Sequence, residues 1–231
     1  MSEIELKLKV WKDSLCESVS LKNLCSEKPI VYKWKAIYRC LVLRETVNWR
    51  TYDIITQAHL LFNEKHILGS RILIRSAIET IALIIHLNQL IAKVTSNELD
   101  FHEFDQKTRK LLLGSRNGST KHSLISVITI LEHCEKKYQD ISSIYATLSE
   151  CAHPNYEGVC FGYSKIDYEN HSTHFSNKWE MMWLHQHEPL MRLICFIFEA
   201  EYSTIWLEQF NKLEDWVLKN DAMLENTKPA F

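Results

Sequence analysis

Turn-forming residues are scarce in this sequence. It holds 5 Gly and 4 Pro among 231 residues, where ordinary usage of the two together is roughly 12%. Glycine supplies the positive-φ conformations of tight turns, and proline ends helices and strands. Sandwiches, barrels and propellers need such a turn every ~8–12 residues. The sequence therefore argues against those folds and predicts a protein of long helices.

The first long helical region extends from Val31 to His66 and contains neither Gly nor Pro. Apolar residues recur there at every third or fourth position, which is the spacing of an amphipathic helix. A single helix of this length would be about 54 Å long. We therefore expect two helices, with a break near Asn48 or Asn63.

The next element is predicted to open at Gly69, with Ser70 as its N-cap. Residues 71–94 are apolar on nearly every side of a helix, which predicts that this helix lies at the centre of a bundle. Residues 98–113 form a shorter charged helix, and Gly114 is expected to stop it.

The C-terminal half is less regular. Residues 122–137 and 138–152 are predicted to be two further helices. The stretch 153–175 collects Pro and Gly and alternates apolar with polar residues, so it is expected to form a loop or a small hairpin. A last long helix should reach about Lys219 and be kinked or divided at Pro189.

These elements indicate an all-α, antiparallel helical bundle with a loop or hairpin excursion at about 153–175. Short helices occupy residues 1–30, a single bundle domain covers 31–219, and 220–231 is expected to be a frayed tail.

Composition indicates a cytoplasmic protein without a membrane span. The net charge is −2 and seven cysteines are scattered without a CxxC pair, which is typical of reduced thiols. The first residues lack the apolar core of a signal peptide. The most apolar stretch, Ile72–Leu87, is too short and too charged to cross a bilayer.

Two charged residues stand out on the apolar central helix. Arg75 and Glu79 are separated by four positions, so they can pair along one helical face. One interpretation is a structural ion pair, because an unpaired buried charge is costly. The other is an arginine held by glutamate so that it faces a phosphate or another anion.

A second cluster lies at the end of a later helix. Tyr145, Ser149 and His153 are spaced by four and share a face, and Pro154 stops the helix after the histidine. The cluster is either a capping histidine with a Tyr and a Ser tied into the core, or a general acid–base site, since an imidazole titrates near neutrality.

Together these motifs resemble a poorly characterised bacterial family. Its members carry an R-S-x-x-E helix, seen here at Arg75–Glu79, and a later Y-x-x-L-S-x-x-x-H helix end followed by P-N-x-x-G, seen here at Tyr145–Gly158. The family is grouped with the HEPN-like helical bundles, whose relatives include dimeric, metal-free ribonucleases of toxin and anti-phage systems. The resemblance implies a homodimer that takes RNA or a nucleotide and has a protein partner such as an antitoxin or a defence-system component.

If the protein is such a ribonuclease, His153 would be the acid or base, Arg75 the phosphate-binding cation, and Glu79 the group that orients Arg75. Tyr145, Ser149 and Asn155 would bind substrate. No metal or cofactor is expected. The alternative is a catalytically inactive bundle that serves as a nucleotide-binding or protein-interaction module.

One departure from the family pattern favours that alternative. Active relatives carry an arginine four to six residues before the histidine on one helix, and no arginine precedes His153 at those positions. Arg116 and His122 have the required spacing and form an alternative catalytic pair, although chance alone explains one such match.

A local basic patch is the best nucleic-acid surface that the sequence offers, and a solvated helix face explains it equally well. Its cations are Lys33, Lys35, Arg39, Arg44 and Arg50.

Overall fold

A computed structural model of the protein describes residues 3–229 and confirms the all-α class. Met1, Ser2, Ala230 and Phe231, which belong to the predicted terminal segments, lie outside the described residues. The helices are α1 (Glu3–Asp13), α2 (Leu21–Glu27), α3 (Pro29–Tyr32), α4 (Lys35–Asn63), α5 (Ile67–Thr95), α6 (Phe101–Leu113), α7 (Val127–Glu135), α8 (Ile141–Ala152), α9 (Trp179–Glu199) and α10 (Trp206–Asn226).

Helix α5 is the centre of the bundle, as its composition predicts. It contacts α4 and every helix from α6 to α10. Most of its apolar side chains are buried, and Ile74, Ile81 and Ile85 are completely inaccessible. Because other helices cover α5 on several sides, only a narrow part of its surface remains for polar groups.

The start of α5 differs from the prediction. The helix begins at Ile67, so Gly69 and Ser70 lie inside its first turns. Ser70 does not cap the helix; its hydroxyl donates to the Ala58 carbonyl oxygen at 2.8 Å and lies 3.1 Å from Nδ1 of His187. This buried serine links α5 to α4 and α9, a tertiary role that helix-capping statistics do not reveal.

The predicted break near Asn63 is confirmed, whereas the break near Asn48 is wrong. Helix α4 continues through Asn48, whose side chain is buried. The Asn48 amide accepts a hydrogen bond from Trp11 Nε1 at 2.7 Å and donates one to the Tyr202 hydroxyl at 3.1 Å. Because the Asn48 side chain bonds to tertiary partners, it does not compete for the backbone hydrogen bonds of the helix.

The C-terminal helices are divided after Pro189 and not at it. Helix α9 continues through this proline, which lies on the exposed side where water can satisfy the freed carbonyl group. A π-helical turn at Ala200–Ile205 separates α9 from α10 instead.

Helix α10 extends beyond the expected end at Lys219 to Asn226. Asp221 accepts hydrogen bonds from Lys33 and from Trp34 Nε1, both at 2.8 Å. These contacts hold the last turns of α10 against the start of α4, so residues 220–226 are helical and not frayed.

Two small sheets interrupt the helices. Strands β1 (Gly114–Ser115) and β2 (His122–Ser123) are parallel, and this pairing delays the start of α7 to Val127. Strands β3 (Ser164–Asp167) and β4 (Ser172–Phe175) form the predicted antiparallel hairpin, which follows a π-helical turn at Tyr156–Phe161. Within residues 3–229, none of the helices is both long and apolar enough to span a bilayer.

Two buried histidines each lie beside a second imidazole. His86 stacks on His133 with 5.0 Å between ring centroids, and His187 lies 6.2 Å from His59. Burial, with a smaller contribution from His133, lowers the pKa of His86 to about 4. Burial, followed by repulsion from His59, lowers the pKa of His187 to about 4. Both are therefore neutral in the folded protein near pH 7.

We expect stability to fall on mild acidification. In the unfolded chain both imidazoles take up protons near their ordinary pKa of about 6.5, whereas the folded protein resists protonation down to about 4. Their stabilising effect is therefore complete above pH ~6.5 and is lost as pH falls towards 4, by on the order of 3 kcal/mol per histidine. Urea unfolding measured from pH 7.5 to pH 4.5 tests this.

His187→Gln should flatten that pH dependence. His185→Gln is the matched control, because His185 is exposed on the same helix, and it should leave the dependence unchanged. Equal pH dependence in the wild type and His187→Gln would contradict the assignment.

Candidate functional site

The two predicted clusters meet where α5 packs against α8. Arg75 Nε donates to the Ser149 hydroxyl at 2.8 Å, and Arg75 Nη2 donates to the Tyr145 hydroxyl at 2.7 Å. The same Nη2 lies 3.1 Å from Glu79 Oε1, which confirms the ion pair along α5. Four residues that the sequence singled out in two separate motifs thus form one network.

Tyr145 is the hub of this network. Its hydroxyl accepts from Arg75 and donates to Glu79 Oε1 at 2.8 Å, while the rest of the side chain is buried. Ser149 donates to the Tyr145 carbonyl oxygen at 2.8 Å, which leaves its lone pairs for Arg75. Each hydroxyl is both a donor and an acceptor, so the network fixes the orientation of the guanidinium.

One edge of the Arg75 guanidinium remains available. The network uses Nε and Nη2, and Nη1 has no partner among the residues that the structure describes. The Arg75 side chain is 25% exposed. An arginine held on one side and open on the other is suited to donate two hydrogen bonds to an anion.

Arg75 lines a pocket of about 560 Å³. Lys110 and Arg116 also line it, and neither side chain has a hydrogen-bond or ion-pair partner among residues 3–229. Among the described residues, Glu79 is the only carboxylate in the lining. The remaining wall is largely apolar and includes Leu83, Leu111, Leu124, Ile125, Val127 and Ile128.

Gly114 shapes this pocket. A Cβ atom at this position would lie 2.4 Å from the Lys110 carbonyl oxygen and 2.6 Å from Leu124 Cα. Only glycine lets the chain that returns through β2 lie directly against the end of α6. The helix does end where the sequence predicts, but the reason is this close backbone approach, because the φ of Gly114 is −66° and not left-handed.

His153 lies outside the network. It is the C-cap of α8, with φ −88° and ψ 148°, so the helix ends at this residue and the backbone that follows is extended. The imidazole is exposed, has no hydrogen bond or ion pair to residues 3–229, and does not line the Arg75 pocket. The structure thus joins Arg75 and Glu79 to two of the three predicted α8 residues.

Asn155 serves the backbone of the turn after α8. Its Oδ1 accepts from the Gly158 amide at 3.0 Å, and its Nδ2 donates to Glu150. Gly158 is required here, because a Cβ atom would lie 2.0 Å from the His153 carbonyl oxygen. The glycine and asparagine of this motif therefore have a packing explanation.

The alternative pair Arg116 and His122 is separated between two cavities. Arg116 lines the Arg75 pocket, whereas His122 lines a different cavity. Lys110 was missed by the sequence reasoning, because a lysine on a charged helix looks like any solvated residue.

Metal ligands do not gather in this part of the chain. Within residues 3–229, no group of three or more His, Cys, Asp or Glu side chains is placed to hold a metal ion. The polar groups of the Arg75 pocket are therefore its hydrogen-bonding side chains and its cations.

Comparison with known proteins adds no further identification: no family model, no curated protein and no solved structure matches this chain. The resemblance to HEPN-like bundles therefore stays a prediction.

We expect Tyr145→Phe to lower the free energy of unfolding by about 1–3 kcal/mol, because Arg75 and Glu79 both lose the same hydroxyl partner. Urea denaturation measures this loss. Thr147→Ala is the control, since Thr147 is exposed on the same helix and bonds only the Ser143 carbonyl group; it should cost less than Tyr145→Phe. An unchanged stability of Tyr145→Phe would show that the network is not coupled.

Proposed function

We propose that the Arg75 pocket binds the phosphate group of a nucleotide or of an RNA strand. The observation that carries this proposal is the convergence of three cationic side chains, Arg75, Lys110 and Arg116, on a pocket with one carboxylate. Two of the three have no counter-ion among residues 3–229, so an anionic ligand would supply the missing partner.

Preorganisation supports the same conclusion. Glu79, Tyr145 and Ser149 hold Arg75 before any ligand arrives, so little side-chain entropy is lost on binding. Glu79 neutralises part of the charge, but it contacts Nη2 and leaves Nη1 free. A phosphate oxygen can therefore reach the guanidinium without displacing the carboxylate.

The apolar wall of the pocket could contact the base or sugar of a nucleotide. Ile128 is 51% exposed, and it lies with Leu83 and Val127 in the same wall. The pocket thus combines convergent cations with an apolar wall, and its volume lies in the usual range of about 300–1,000 Å³ for a small-molecule site. A base or sugar would cover this wall while the phosphate meets the cations.

We expect Arg116→Ala to weaken binding of fluorescently labelled AMP or a short single-stranded RNA by about tenfold, the equivalent of one charge-assisted hydrogen bond. Fluorescence anisotropy at low salt measures it. Lys121→Ala is the matched control: it removes one exposed positive charge from the same loop but lines neither cavity. Equal weakening in both variants would indicate non-specific attraction and contradict the proposal.

RNA cleavage is a second candidate function, favoured by the position of His153. This exposed imidazole comes one helical turn after Ser149, which bonds Arg75. His153 would act as acid or base and Arg75 would stabilise the charge of the phosphorane. In this proposal the enzyme needs no metal and acts as a toxin or phage-defence effector, as a homodimer and with a protein partner. The seven free cysteines support a cytoplasmic location.

If His153 is catalytic, purified protein should cleave single-stranded or transfer RNA with EDTA present, and His153→Ala should abolish cleavage. The melting temperature of the variant should stay nearly unchanged, because the imidazole has no partner among residues 3–229. His185→Ala, another exposed histidine, should remain active. If the wild type binds nucleotide but does not cleave RNA, the cleavage proposal is wrong and the protein is a binding module.

A further inference from the structure

A second cavity, of about 580 Å³, lies on the other side of α6. Its walls come from the start of α4, one face of α6, strand β2 and the residues that follow α10. The cations in its lining are Lys33, Lys35, Arg39, Arg109 and Lys228.

Two arginines in this cavity share a single carboxylate. Arg39 Nη2 pairs with Asp105 Oδ1, and Arg109 Nη2 lies 2.6 Å from Asp105 Oδ2. Arg109 Nε is buried and has no hydrogen-bond partner within residues 3–229. Such an orphaned donor is uncommon in a folded protein and marks a place where a partner is missing.

The pKa of Arg39 also reflects the shortage of negative charge around Arg39 and Arg109. Burial lowers the pKa of the Arg39 guanidinium, Asp105 raises it, and the positive charge of Arg109 lowers it again. One carboxylate thus faces two guanidiniums in this cavity. An added anion would relieve the repulsion between Arg39 and Arg109.

The lysines at the cavity differ in how far they are neutralised. Lys33 has ion pairs with Asp221 at 2.8 Å and Glu225 at 2.9 Å. Lys228 reaches the same Glu225 only at 3.6 Å. Lys35 is exposed and has no counter-ion among residues 3–229. Five cations thus face three carboxylates, and the surplus lies at Lys35 and at the arginine pair.

The form of the cavity indicates the size of the anion. Its volume suits a small ligand and not a protein surface, and Trp34 and Phe101 make a buried apolar floor. His102 and His122 add ring nitrogens to the lining. Cations that enter from several separate elements would meet different oxygen atoms of one extended, highly charged ligand.

We propose that this cavity binds a small ligand that carries two or more linked phosphates, at a site separate from the Arg75 pocket. Helix α6 divides the two sites: Arg109 and Leu113 face this cavity, whereas Lys110 and Leu111 face the other. Successive residues of a helix point about 100° apart, so substitutions can alter one site without touching the other.

Isothermal titration calorimetry with phosphate, pyrophosphate and tripolyphosphate, without metal, tests the proposal. Affinity should rise with the number of phosphates. The double variant Lys35→Ala/Lys228→Ala should bind tripolyphosphate at least tenfold more weakly than the wild type. The control Lys9→Ala/Lys219→Ala removes two exposed lysines that have no ion-pair partner among the described residues and lie outside both cavities, and it should bind like the wild type.

Arg116→Ala, in the Arg75 pocket, should bind tripolyphosphate normally, so failure of this proposal can be told apart from failure of the proposed function. If both double variants bind tripolyphosphate equally weakly, the loss of affinity comes from the change in net charge and not from this cavity, and the proposal is overturned. Weakening by Arg116→Ala alone would place the ligand in the Arg75 pocket and overturn it too, as would absence of binding to the wild type. Circular dichroism confirms that each variant is folded.

Discussion

The burial of α5 imposes the constraint on which the rest of the structure depends. A helix covered on several sides can expose few of its polar side chains to water, so most of them need partners in neighbouring elements. Ser70 reaches α4 and α9, Arg75 reaches α8, and Asn88 reaches the π-helical turn before α10. The polar groups of α5 thus fix the register of the helices around it, while its apolar groups supply the driving force for packing.

Glu201 shows how far this principle extends. It is fully buried, and it accepts from Asn88 Nδ2, the Tyr138 hydroxyl and Lys137 Nζ, each at 2.7 Å. A carboxylate in this position is tolerated only because three donors surround it, and removing one partner of a buried pair costs about 3–5 kcal/mol. The π-helical turn widens the helix at this point, and its carboxylate ties the turn to α5 and to the segment between α7 and α8. Arg75 differs from Glu201, because its Nη1 atom has no hydrogen-bond partner among the described residues.

The sequence allowed us to predict features that depend on residue spacing within one helix. It did not allow us to predict contacts between segments that only the fold brings together. The central position of α5 and the pairing of Arg75 with Glu79 follow from apolar content and from a spacing of four. Spacing also placed Tyr145 on one face of α8, but it could not show that His153, at the end of the helix, stays outside the hydrogen-bond network of Arg75. Lys110 joins the site because the chain returns against the end of α6 at Gly114, a contact between residues distant in sequence.

Net charge is a poor guide to anion binding in this protein. A value of −2 excludes a long-range field that would draw in polyanions, yet both cavities beside α6 carry more cations than carboxylates. Most of the acidic residues that balance the total lie elsewhere, and only some of the cavity cations are held by carboxylates, as Arg39 and Arg109 are by Asp105. Recognition at these sites must therefore come from contacts shorter than the Debye length of about 8 Å. For that reason it should depend on the geometry of the ligand's phosphates more than on its total charge.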